Sequence, residues 1–89
     1  MPSIHLLVKG KVQGVFYRAS ARKMAGILGV KGWIRNTPEG DVEAMVTGEI
    51  KQLNMFEEWC KKGPARAQVE KVIVTEKAET PFYAFTIKD

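Results

Sequence analysis

The sequence predicts an α+β sandwich, an antiparallel sheet with two helices packed on one face. Three observations carry this. Several short segments alternate apolar and polar residues with a period of two. Two longer segments repeat apolar residues at the helical spacing. Strands and helices interleave in the order βαββαβ, with a short extra strand at the C-terminus.

The first strand runs into Gly10, with Ile4, Leu6 and Val8 on one face and His5, Leu7 and Lys9 on the other. A helix pattern begins near Arg18, where Ala21, Met24, Ala25 and Leu28 fall on one stripe, and Gly29 is placed to end it. Residues 30–36 read as the second strand. Asn36-Thr37-Pro38-Glu39-Gly40 is rich in turn formers, and Val42, Ala44 and Val46 then alternate in a third strand paired with the second as a hairpin. The second helix spans Glu49 to Lys62, with Leu53, Phe56, Trp59 and Cys60 as its buried stripe and Gly63-Pro64 as its stop. In the fourth strand Ala67 and Val69 are in step, whereas Val72 and Val74 are displaced by one, which predicts a bulge or bend between Val69 and Val72. Thr80-Pro81 breaks the chain before a short last strand with Phe85 and Ile87 facing inward.

This order is the split βαβ arrangement of ferredoxin-like domains. The crossover through the first helix makes strands one and two parallel, with strand three between them. Their C-terminal ends share one edge of the sheet. The loop Gly10–Arg18 and the turn at Asn36 can therefore face one cavity.

Composition narrows the function. The 89 residues make one small domain, residues 1–89, with a single core and little room for a deep cleft. A site on a surface loop or at a sheet end is expected. The single cysteine, Cys60, excludes an internal disulfide, and one histidine with one cysteine makes a tight transition-metal site improbable. With no secretory layout and no apolar run near the ~18 residues of a membrane span, a cytoplasmic protein is expected. The net charge of +4 suits a small anionic ligand or simply a solvated surface. An RNA-binding role would need paired aromatics on the open faces of the central strands. Those faces carry His5, Leu7, Lys9, Asp41, Glu43 and Met45, and the acids repel a phosphate backbone.

Gly10-Lys11-Val12-Gln13-Gly14-Val15-Phe16-Tyr17-Arg18 is the segment richest in chemistry. A short glycine-containing loop between a strand and a helix can turn backbone N–H groups inward as an anion nest, and the helix N-terminus adds unpaired donors. Arg18 could close it with a permanently charged fork suited to phosphate oxygens. The spacing matches neither a nucleotide P-loop nor a dinucleotide fingerprint. The same residues also fit a plain strand-to-helix turn with a surface arginine, and Asn36-Thr37-Pro38 also fits a turn whose asparagine bonds local backbone. The residues leave these alternatives open. His5 lies on the mixed face of the first strand, remote from the loop. Ser20 has no candidate base nearby. Cys60, Trp33, Phe56 and Trp59 read as core or sheet-face residues.

The loop Gly10–Arg18 and the segment Gly32-Trp33-Ile34-Arg35-Asn36 together resemble the acylphosphatases. Gly40-Asp41-Val42-Glu43-Ala44, Gly63-Pro64 and Phe85-Thr86-Ile87 extend the resemblance over essentially the whole chain. Tyr17 stands where phenylalanine is common, Glu39 where aspartate is, and Lys88-Asp89 differs from the basic or aromatic ending of many relatives. The resemblance implies hydrolysis of a carboxyl-phosphate anhydride to a carboxylate and inorganic phosphate. It implies that Arg18 and the loop backbone of Gln13, Gly14, Val15, Phe16 and Tyr17 hold the phosphate, and that Asn36 positions the attacking water, whose proton passes to the substrate itself. It implies a monomer acting on a small acyl phosphate, with no metal or organic cofactor and no nucleic-acid or membrane partner. A carboxylate leaving group scarcely needs protonation, so the lack of a strong general acid is consistent with this chemistry. Placement and charge stabilisation of a loose phosphoryl transition state remain to be supplied.

Overall fold

The structure is a computed structural model that describes residues 1–88; the expectation concerning Asp89 lies outside the described residues. The chain forms β1 (Ser3–Lys11), α1 (Tyr17–Leu28), β2 (Lys31–Asn36), β3 (Val42–Thr47), α2 (Ile50–Lys62), β4 (Gln68–Lys77) and β5 (Phe85–Ile87). The strands form one sheet in the order β4-β1-β3-β2-β5. The first four pair antiparallel throughout, as expected. The short β5 adds to the edge strand β2 in parallel, with Gly32 opposite Phe85 and Ile34 opposite Ile87, so the five-stranded sheet is mixed.

Alternation decides what is buried. Leu6 and Val8 of β1, Ile34 of β2, and Val42, Ala44 and Val46 of β3 point to one side. They meet Tyr17, Ala21 and Ala25 of α1 and Leu53, Phe56 and Cys60 of α2. Phe56 sits edge-on to Phe85 with ring centroids 5.8 Å apart, which ties α2 to the terminal strand. The opposite face is open. There His5 and Arg35 donate hydrogen bonds to Glu43, and Lys9 donates to Asp41 at 2.9 Å. The Lys88 ammonium lies 4.6 Å from the centre of the Trp33 ring. This open face pairs its charges internally.

The bulge falls within the predicted interval. Lys9 pairs with Lys71, but Gly10 pairs with Val69, leaving Glu70 as the extra residue. Gly10 adopts φ 130°, and a Cβ there would lie 2.2 Å from the Gln68 carbonyl oxygen. Only glycine lets β1 cross the bulged strand this closely. This crossing sets the direction in which the chain leaves the sheet toward the loop that follows.

Candidate active site

The loop between β1 and α1 is held from both ends. Val12 and Val15 turn their side chains into the core. The Gln13 amide nitrogen donates to the Thr37 and Asp41 carbonyls, each at 2.9 Å. At the far end the buried Tyr17 hydroxyl donates to the Cys60 carbonyl at 2.7 Å. That carbonyl belongs to the last turn of α2, where backbone acceptors lack helical partners. Burial pushes the Tyr17 hydroxyl above its ordinary range and the Cys60 thiol up to about 12, so both stay protonated at neutral pH.

Within the loop the backbone alternates in hand. Gly14 has φ 74° and Phe16 has φ 62°, with Val15 between them at negative φ. Such alternation lets successive N–H groups converge on one point, the geometry of an anion nest. Phe16 is the only non-glycine residue with positive φ among those described, a conformation that costs an L-residue about 1–2 kcal/mol.

The start of α1 has few compensating groups of its own. Phe16 is its N-cap and makes no side-chain capping bond, and the first turn contains no acidic residue. The first helical bond runs from the Ser20 N–H to the Phe16 carbonyl, so the N–H groups before Ser20 have no partner inside the helix. Arg18 places a cation where the helix dipole favours an anion. An anion at this end would satisfy both the donors and the charge.

The turn after β2 completes the site. The Thr37 N–H donates to the Asp41 carbonyl at 2.9 Å, and the Asp41 N–H donates to the Thr37 hydroxyl at 3.0 Å. Thr37 therefore does the local bonding that its sequence neighbourhood also allowed for Asn36. The Asn36 Oδ1 is buried without a hydrogen-bond partner, so the turn does not consume its amide. A cavity of about 320 Å³ is lined by Gly14, Phe16, Tyr17, Arg18 and Asn36, with Val12, Ala19 and Ile87 supplying apolar walls.

The structure thus brings Gly14, Phe16, Tyr17, Arg18 and Asn36 to one cavity, across 18 positions of sequence from Arg18 to Asn36. Val15 and Gln13 do not line it. The resemblance gives Gln13 a role through its backbone; its side chain instead fastens the loop to the turn bearing Asn36. Sequence reasoning missed this link, and a long amide between two glycines was the only available signal. His5 and Ser20 also lie outside the cavity lining. Among the described residues no cluster of three or more His, Cys, Asp or Glu could hold a metal ion. Among the same residues no helix is long and apolar enough to cross a membrane.

Loop, helix start and turn form one pocket, with a cation and unpaired backbone donors on one side and the Asn36 amide on the other. The sequence model of the family described as Acylphosphatase matches residues 4–87. An acylphosphatase of Acaryochloris marina is 50% identical over 90 residues, covering 98% of this chain and 97% of that protein. One of Marinobacter nauticus is 53% identical over 76 residues, covering 85% of this chain and 83% of that protein. The crystal structure of the Bacillus subtilis acylphosphatase superposes over the whole of both chains, with a TM-score of 0.96 and 30% identity. The acylphosphatase structure from Coxiella burnetii gives a TM-score of 0.94 at 39% identity, covering 98% of this chain and 92% of that one. The chain belongs to the acylphosphatase family, enzymes that hydrolyse acyl phosphates.

Proposed function

We propose that this protein hydrolyses acyl phosphates with its phosphate in the nest of residues 13–18 and its water on Asn36. The carrying observation is the start of α1. It has no acidic residue, no capping side chain and an arginine in its first turn, all of which an anion would balance. The Arg18 fork binds phosphoryl oxygens, and the converging N–H groups of the loop stabilise charge on them as the transition state forms.

Water held by the Asn36 amide attacks phosphorus and passes its proton to a phosphoryl oxygen of the substrate. The bond between phosphorus and the acyl oxygen breaks, and the carboxylate leaves with its electron pair. A carboxylate is stable at neutral pH without a proton, so the leaving group needs no general acid. Catalysis then rests on positioning and electrostatics, which suit a loose transition state. The chain acts as one cytoplasmic, monomeric domain, residues 1–89, on a small-molecule substrate.

The test is hydrolysis of benzoyl phosphate in the presence of a metal chelator. Turnover should persist in the chelator. Arg18→Gln should raise KM and lower kcat, because the nest loses its fixed charge. Full activity of Arg18→Gln would refute the assignment of the phosphate site.

A further inference from the structure

We propose that Phe16 is a specificity residue, and that its ring receives the organic part of an acyl phosphate whose acyl group is apolar, aromatic or branched aliphatic. This rests on the hydrolase reading and extends it from the phosphate to the acyl group.

The nest needs a left-handed residue at position 16, a requirement that glycine or asparagine meets with little strain. Phenylalanine meets it badly. Nor does the ring offset that strain by packing, because Phe16 is 72% exposed and stands outside the core. A large apolar side chain is therefore held in a disfavoured conformation and left facing water, a combination that gains nothing within the folded chain.

Its position supplies the use. Phe16 lines the cavity together with Val12, Ala19 and Ile87, while Arg18 and Asn36 supply the polar lining. Four phosphoryl oxygens, each no larger than a water molecule of about 30 Å³, take up at most about 120 Å³. The cavity holds about 320 Å³, so more than half of it remains for the group attached to the phosphate. That group meets the apolar walls, and its packing against Phe16 excludes water from both surfaces.

The experiment compares kcat/KM for benzoyl phosphate with that for acetyl phosphate in the unaltered protein, in Phe16→Asn and in Phe16→Leu. Asparagine accepts the left-handed backbone and removes the apolar surface, whereas leucine keeps an apolar side chain against the substrate. The benzoyl-to-acetyl ratio should fall about tenfold in Phe16→Asn, the lower end of what one small apolar group is worth in a hydrophobic pocket. Phe16→Leu should recover most of it. If either substitution slows both substrates, the same comparison is made at equilibrium, by calorimetric titration of phenylphosphonate against methylphosphonate. An unchanged ratio in both kinetics and titration overturns the role of Phe16 while leaving the hydrolase reading intact. Failure of the unaltered protein to hydrolyse either phosphate refutes the hydrolase reading, and this inference with it.

Discussion

At the scale of single residues, the site depends on side chains freed from structural work. Thr37 bonds the turn backbone, which leaves the Asn36 amide unengaged at the cavity. Gln13 does the reverse, and its amide spans the gap between the two segments that contribute Gly14, Phe16 and Asn36 to the cavity. Removing it in Gln13→Ala withdraws two hydrogen bonds from the Thr37 and Asp41 carbonyls. We expect a loss of about 1–2 kcal/mol in denaturant unfolding, from bonds worth about 0.5–1.5 kcal/mol each in a half-exposed setting. Turnover of benzoyl phosphate should fall as well, since the loop and the turn are no longer held in register. Wild-type kcat in this variant would mean that the link serves stability alone.

At the scale of elements, the bulged crossing of β1 and β4 sets the path of the loop. Gly10→Ala would drive a Cβ to 2.2 Å from the Gln68 carbonyl oxygen while keeping a positive φ. A destabilisation of roughly 2–4 kcal/mol is expected by thermal or denaturant unfolding. The other anchor is Tyr17. Tyr17→Phe keeps the ring against Trp59 but leaves the Cys60 carbonyl without its donor, which should cost about 1–3 kcal/mol.

Both anchors bear on what sequence alone can convey. The phase slip between Val69 and Val72 is visible as a break in alternation, because side-chain facing has a strict period of two. The two helical stripes and the hairpin are visible for the same kind of reason. That Tyr17 buries its side chain and reaches the end of α2 is not visible, because the interaction spans 43 positions and follows no local pattern. The parallel pairing of β5 with β2 is hidden likewise, since three residues carry no directional signal. In the site, the nearness of Arg18 to Asn36 follows from strand order. The Gln13 link does not, because it depends on the rotamer of one flexible side chain.

At the scale of the molecule, helices and site chemistry are separated from the charged open face of the sheet. Glu43 sits at the centre of that face. Burial alone would raise its carboxyl pKa, but hydrogen bonds from His5 and Arg35 outweigh that effect and hold it below the ordinary carboxylate range. With a folded pKa below the unfolded value of about 4.3, the group's contribution is fully present above that value and is lost as pH falls through the folded pKa. Glu43→Gln should therefore flatten the fall in Tm measured from about pH 5 toward pH 3. An acid limb as steep as that of the unaltered protein would remove Glu43 as a source of acid sensitivity. Glu43, His5 and Arg35 do not line the cavity, so the substitution tests the scaffold rather than the chemistry.

The proposed division of labour between a phosphate half and a water half meets its most direct test in Asn36→Ala. The measurement is kcat for benzoyl phosphate beside the competitive inhibition constant of inorganic phosphate, in variant and unaltered protein. Loss of the amide proposed to hold the water should lower kcat by about 100-fold or more, as for the loss of a positioning group, while the inhibition constant changes little. A variant that keeps full kcat, or that loses phosphate binding in step with turnover, would contradict this division.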